Sequence, residues 1–307
     1  MKKSTFGFLS SDGKTQIHAV KWEPEGEVRC VLQISHGMIE YVERYEAFAE
    51  YLTQRGVVVV GNDHLGHGES VVSKEFLGYF APEYGSDLVV EDLQQLRSKT
   101  QMEYPGVPYF MLGHSMGSFL LRKYLTIHGE GLSGAIVMGT GTQTDMTVKT
   151  GKAVCKLIAR FKGWRHRGGF VERLVFSGNN KKFETEGASA WLTKDREIVS
   201  SYVKDPRCTF QFTLNGFYNL FDTIYYINRP EHIAAIPKDL PLFFVSGEDD
   251  PVGDYGAGAR KAYETYVQAG ISEVTFKLYS SDRHEILNEL DRENVYKDIY
   301  GWIQEHL

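Results

Sequence analysis

The chain has 307 residues, enough for one large domain or two small ones with cores of their own. Hydrophobic residues at 42%, charged residues at 24%, 31 Gly and 9 Pro make an ordinary globular composition that excludes disorder, collagen-like repeats and coiled coil. With 34 Lys and Arg against 40 Asp and Glu the formal charge is −6, which argues against attraction to nucleic acid over the whole surface but leaves a local basic patch open.

In chain order, two alternating runs at residues 4–10 and 15–22 flank Ser11-Asp12-Gly13-Lys14, a hairpin turn signal. Short apolar, β-branched runs follow at 30–35, 57–62, 109–113, 134–139, 242–247 and 273–279, and all six are expected as central strands. Helical spacing of apolar residues marks 44–54, 87–101, 115–128, 256–269 and 291–306. Strands and helices in alternation predict an α/β chain with a mostly parallel sheet, helices on both faces and the hairpin as an antiparallel edge. The alternation stops between about 140 and 236. There, helical pieces at 153–161, 170–176, 194–203 and 212–226 are broken by Gly163, Gly168-Gly169, Gly178 and Pro206. The expected organisation is a core at 1–139 and 237–307 with an inserted helical cap at 140–236.

Cys30, Cys155 and Cys208 are odd in number and widely spaced, with no CxxC and no histidine at metal-ligand distance along the chain, so buried free thiols in a reducing compartment are expected. The N-terminal MKKSTFGFLSSDGK has no apolar stretch of signal-peptide length, and no run approaches the ~18 apolar residues of a membrane span. A soluble cytoplasmic protein is the expectation.

Gly113-His114-Ser115-Met116-Gly117 lies between an apolar strand and a helix carrying Phe119, Leu120, Tyr124 and Leu125. This is the G-x-S-x-G nucleophile elbow, in which a strained strand-to-helix turn presents the serine hydroxyl and the glycines let neighbouring backbone pass. A serine at its ordinary pKa is a poor nucleophile, so it needs a histidine base, and the histidine needs an acid to fix its tautomer. In this arrangement the order along the chain is Ser, acid, His. The strand at 242–247 runs into Glu248-Asp249-Asp250-Pro251, where Asp250 is preferred because Pro251 fixes the turn after it; Asp249 and then Asp254 are the alternatives. The strand at 273–279 leads to His284, the only histidine beyond the acid other than His306 in the terminal helix. Donors for a developing oxyanion are expected from the backbone N–H of Met116 and, after the third strand in Ile34-Ser35-His36-Gly37-Met38, from that of Met38.

His36-Gly37-Met38-Ile39-Glu40-Tyr41-Val42-Glu43-Arg44-Tyr45, Asp63-His64-Leu65-Gly66-His67-Gly68-Glu69-Ser70, the elbow, the acidic turn and His284 together resemble the monoacylglycerol lipase and lysophospholipase branch of the α/β-hydrolases. The resemblance covers roughly residues 4–139 and 237–307 and implies an eight-stranded hydrolase fold. It implies Ser115 as nucleophile, Asp250 as acid, His284 as base, and Met38 and Met116 as oxyanion donors. His36, Gly37 and Glu40 fall in the oxyanion loop as its support. It also implies a mobile cap over an acyl-chain pocket, a lipid-like ester as substrate, and no cofactor. Tyr41 stands where the family's lipases carry His and Ile39 where they carry a small residue, which leaves glycerol-ester preference open. His64 and His67 beside Asp63 lie in a glycine-bounded loop and are expected to support the oxyanion loop rather than hold a metal.

Between positions 149 and 173 eight Lys and Arg face a single acid, Glu172, with Val154, Leu157, Ile158 and Phe161 on one helical face and Trp164 and Phe170 close behind. Such a stretch either packs its apolar stripe on the core or docks transiently on an anionic membrane. Residues 140–236 carry 15 Lys and Arg against 9 Asp and Glu, a charge of +6, so the remainder is −12. Trp191, Phe210, Phe212, Phe217, Tyr218, Phe221, Tyr225 and Tyr226 are expected to build the cap's own core and part of a roof over Ser115. The expected activity is hydrolysis of carboxylic esters, without nucleic-acid partners. Its rivals are an aminopeptidase of the proline iminopeptidase type, with Glu184 and Glu186 as candidate holders of a substrate ammonium, and a non-catalytic ligand-binding protein of the same fold.

Overall fold

A computed structural model describes residues 1–307. Eight strands form one sheet: β1 (Lys2–Leu9), β2 (Gln16–Glu23), β3 (Cys30–Ser35), β4 (Val57–Asn62), β5 (Tyr109–His114), β6 (Gly134–Met138), β7 (Leu242–Gly247) and β8 (Val274–Tyr279). Their order across the sheet is β1-β2-β4-β3-β5-β6-β7-β8. The β1/β2 and β2/β4 pairs are antiparallel and all others parallel, so the hairpin forms an antiparallel edge as the sequence predicts. One expectation fails at the other edge. β8 has a single neighbour, and its residues alternate between half-buried (Val274, Phe276, Leu278) and exposed (Thr275, Lys277). β3 through β7 are buried at every position. That alternation is the mark of a partly solvated edge, and it separates β8 from the continuous apolar runs of the centre.

Period-two alternation divides the buried side chains between the two faces. Leu32, Val59, Phe110, Ile136 and Phe243 share one core with Phe48 and Leu52 of α1 (Glu46–Thr53) and Val295, Ile299 and Ile303 of α10 (Arg292–Glu305). Val31, Val58, Met111, Val137 and Phe244 point the other way. They pack against α2 (Gly85–Glu103), α3 (Met116–His128) and α9 (Ala257–Gln268).

Five helices lie between β6 and β7: α4 (Asp145–Lys162), α5 (Gly169–Phe176), α6 (Arg196–Lys204), α7 (Leu214–Ile227) and α8 (Pro230–Ala234). Two of them correct the sequence reading. α4 begins eight residues before the predicted start, capped by Thr144, whose hydroxyl accepts from the Thr147 N–H. Gly151 lies in its interior, where glycine costs helix stability. In the fold it lets α4 close on α7, where a Cβ would meet the Phe221 ring at 2.6 Å. α8 is missing from the sequence reading, although Pro230 at its first turn is a start signal. α7 is fixed to the segment before α2 and to the first turn of α2 by buried amides: Asn215 donates to the Ala81 carbonyl (2.7 Å) and accepts from the Phe80 N–H (2.9 Å), and Asn219 accepts from the Ser86 N–H (3.0 Å).

Asp92 ties the opening hairpin to α2, accepting from Ser10 Oγ (2.7 Å) and the Ser11 N–H (2.6 Å). Burial pushes its carboxyl up to about 6, against hydrogen bonds that favour the anion. The folded state then holds a proton that the unfolded chain has released between about pH 4 and 6, so stability falls as pH rises through that window. In urea unfolding, the gap between wild type and Asp92→Asn is expected to move in favour of the variant by about 2 kcal/mol from pH 4.5 to 7. A gap that stays constant with pH refutes the assignment.

Candidate active site

Ser115 sits between β5 and α3 at φ 53° and ψ −121°, the strained turn that G-x-S-x-G predicts. The strain is over-determined by what surrounds it. The Ser115 N–H donates to Met138 O (3.0 Å), and its carbonyl accepts from Ser118 Oγ (2.6 Å) and the Ser118 N–H (2.9 Å). A Cβ on Gly117 would collide with the Ser35 and His36 carbonyls, and one on Gly113 with the Gly117 carbonyl. Only glycine at both positions lets β5, α3 and the end of β3 pass this closely.

The turns after β7 and β8 bring two partners to this hydroxyl. His284 Nε2 lies 2.8 Å from Ser115 Oγ, and His284 Nδ1 donates to Asp250 Oδ1 at 2.9 Å. Asp250 is fully buried and accepts further bonds from the Val252 N–H (2.9 Å) and Ser246 Oγ (3.3 Å). Of the other two acids considered, Asp249 pairs with Lys182 and Asp254 is exposed. The candidate residues Ser115, Asp250 and His284 thus converge in one hydrogen-bonded row.

The loop after β3 closes over the same point. The Met38 N–H has no acceptor in the protein, and Met116 is the first residue of α3, where helix N–H groups lack intrahelical partners. Both residues line the cavity that contains Ser115. His36 donates from Nδ1 to Gly37 O (2.8 Å) and accepts at Nε2 from the His64 N–H (2.9 Å). The rings of His36 and His64 lie 4.1 Å apart, with His67 on their edge. Burial lowers the pKa of all three, to about 3 at His67, so they serve as neutral packing and hydrogen-bonding groups beneath the loop.

Glu40 does more than the sequence suggests. Its Oε1 accepts from the Gly37 N–H and from Tyr45 Oη (2.9 Å), and faces His114 Nδ1 at 3.2 Å. Its Oε2 accepts from Arg44 (2.7 Å), whose guanidinium also makes a two-pronged pair with Glu285 (2.8 and 2.7 Å). His114 Nε2 faces the His284 carbonyl at 3.2 Å. Burial would raise the Glu40 carboxyl, but the His114 bond and the Arg44 charge hold it well below the usual carboxylate range. Burial would depress His114, but Glu40 overrides it and keeps the imidazole above its ordinary value, donating from both nitrogens. The sequence reading gives Arg44, Glu285 and His114 no role of their own. The four-residue spacing of Glu40 and Arg44 and the adjacency of Glu285 to His284 are the signals that point to them.

The cavity above Ser115 has a volume of about 920 Å³. Of the eight aromatics expected to divide between cap core and roof, Trp191, Phe210 and Phe221 line it. Met146, Leu174 and Val203 both line the cavity and face solvent, so they mark an apolar mouth. Glu184 and Glu186 are not in the lining, and Glu186 pairs with Arg283 at 2.8 Å. Among lining carboxylates Glu40 and Glu285 share Arg44, which leaves Glu172, whose Oε2 is buried without a partner.

A sequence profile described as serine aminopeptidase, S33, matches residues 26–291. The chain belongs to this family. Within the S33 fold, a thermostable carboxyl esterase from Bacillus coagulans, solved in complex with glycerol, superposes with a TM-score of 0.91 at 31% identity over 99% of both chains. A monoacylglycerol lipase of Mycolicibacterium smegmatis is 26% identical over 99% of this chain and 98% of its own length. The monoglyceride lipase of Homo sapiens is 25% identical over 97% and 89%. The resemblance read from the motifs and the α/β-hydrolase fold are therefore both right.

The buried pairs of this S33 site make a stability prediction. Removing one partner of a buried ion pair leaves an uncompensated charge, at a cost of about 3–5 kcal/mol. Arg44→Gln is expected to lose about that much in urea unfolding at pH 7. Because the Glu40 pKa is depressed, its contribution is present above the ordinary carboxylate range and is lost as pH falls through the folded value. The variant starts less stable, so acid brings it to its unfolding midpoint at a higher pH; an unshifted acid transition contradicts the pairing.

Proposed function

We propose that this chain, an ester hydrolase by its relatives, cleaves lipid-like monoesters of the monoacylglycerol or lysophospholipid type through an acyl-enzyme on Ser115. The observation that carries the reading is the hydrogen-bonded row Asp250, His284, Ser115 opening into an apolar cavity. Ser115 Oγ attacks the ester carbonyl as His284 Nε2 takes its proton, and Asp250 holds the ring and offsets its charge. The N–H groups of Met38 and Met116 receive the developing oxyanion. Collapse of the tetrahedral intermediate breaks the ester bond and releases the alcohol, which receives the proton from His284. Water, deprotonated by His284, then hydrolyses the acyl-enzyme and frees Ser115.

Residues 140–236 act in this reading as a cap domain that roofs the acyl chain. Leu157, Phe161 and Phe170, exposed by 62%, 79% and 54%, line a groove with Lys162 and Arg167 that shares Val171 with the cavity wall. An apolar surface set among cations fits the lipid–water boundary of an anionic membrane, where a lipid ester resides. An aminopeptidase would need carboxylates in the cavity to hold an ammonium. Glu172 is the one available, and burial raises its pKa, which weakens it as a counter-ion. This favours the ester over the amide.

A fluorophosphonate probe is expected to label the wild type and not Ser115→Ala. A p-nitrophenyl ester of mid-length acyl chain should exceed an aminoacyl p-nitroanilide in kcat/KM by at least about 100-fold, near the lower end of what a specific pocket contact supplies. Failure to label the folded wild type, or preference for the anilide, sinks the reading. In vesicle co-sedimentation at low salt the protein should bind anionic but not neutral liposomes. Leu157→Ser with Phe161→Ser should abolish that binding while leaving hydrolysis of a short soluble ester intact; absence of wild-type binding rejects the membrane contact.

A further inference from the structure

Ile39 is a β-branched residue at φ 57°, buried in the loop that carries Met38. L-residues other than glycine reach this region at a cost of order 1–3 kcal/mol and stay there only when their surroundings impose it. The turn that results is what lets the Glu40 carboxylate reach back to the Gly37 N–H. Relaxation of Ile39 to negative φ would pull Glu40 away and swing the Met38 N–H off its direction.

What imposes the conformation comes from outside the loop. Tyr202 of α6 donates its hydroxyl to the Ile39 carbonyl at 3.1 Å, and its ring lies under the Arg44 guanidinium at 4.9 Å. Two residues further, Tyr41 donates to Asp205 Oδ2 (2.7 Å) and accepts from Arg207 Nη2 (2.7 Å), with the Arg207 guanidinium stacked 3.7 Å above its ring. Arg207 also faces Glu43 at 3.6 Å. The stretch leading into α6 holds the other side of the site: the Leu192 carbonyl accepts from the Glu285 N–H (2.7 Å), and the Trp191 ring lies 5.1 Å from that of His284. Ile39 and Tyr41, the two positions at which this loop departs from the family pattern, are the two that meet α6 and the residues just after it.

We propose that Tyr202 is a positioning residue which holds Ile39 in its left-handed conformation and so aims the Met38 N–H at the oxyanion, making the geometry of the reaction centre depend on the seating of α6. The inference rests on the assignment of Met38 as an oxyanion donor. Tyr202 lines the cavity, so its ring could also touch substrate; the hydroxyl alone is what the test removes.

A double-mutant cycle separates these roles. Tyr202→Phe is expected to lower kcat for a soluble ester about tenfold with KM within about twofold, the pattern of an interaction lost from the transition state. Glycine adopts positive φ without penalty. In an Ile39→Gly background, whatever its own rate, adding Tyr202→Phe should therefore cost less than about threefold. Tyr41→Phe, which loosens the same clamp through Asp205 and Arg207, should show a smaller loss with the same dependence on residue 39, and it supplies the cycle if Tyr202→Phe proves to melt early. Equal losses in both backgrounds, or an effect confined to KM, overturn the proposal while wild-type labelling at Ser115 leaves the hydrolase reading standing. No labelling of the wild type overturns both.

Discussion

The Glu40 carboxylate is the group around which the site is assembled. Charges removed from water must be matched nearby, and here two anions, Glu40 and Glu285, meet two cations, Arg44 and His114, in a closed and neutral cluster. The members come from three parts of the chain: the connection between β3 and α1, which supplies Glu40 and Arg44, the elbow, and the loop that carries His284. Matching the charges therefore also fixes those three segments relative to one another. No single member can move without stranding another, so the cluster acts as a rigid joint rather than as a source of net stability.

Two strained residues border the same cavity: Ser115 and Ile39 both lie at positive φ and both line it. At Ser115 the conformation is imposed from within the core, by β6 and by glycines that admit neighbouring backbone. At Ile39 it is imposed by a hydroxyl that arrives from between β6 and β7. The core thus shapes Ser115 alone, whereas Ile39 also depends on a segment that reaches it through the Tyr202 hydroxyl.

The strands and the site were legible to different degrees, for physical reasons. β3, β4 and β7 fall at the positions their β-branched and aromatic runs predict, because strands buried on both faces must be apolar throughout. β8 reads the same way over its first residues, and only Thr275 and Lys277 betray the edge. Ser115, Asp250 and His284 were legible because each follows a strand end and each carries a side chain that its chemistry requires. Arg44, Glu285 and His114 were harder, since pairing across 241 residues leaves no local pattern. Tyr202 was invisible: one tyrosine on an amphipathic helix looks like any other until the fold brings the Ile39 carbonyl to its hydroxyl.

The three cysteines carry a consequence of their own. Burial pushes each thiol up to about 12. At neutral pH the reactive thiolate is then on the order of one part in 10⁵. Cys208 borders the same cavity as Ser115, so a hydroxyl held against an imidazole and a thiol held against nothing share one chamber. Soft electrophiles that seek thiolate sulfur find no partner there, whereas acylating and phosphonylating agents meet an oxygen already in contact with a base. Peroxide likewise finds little thiolate to attack at the three cysteines.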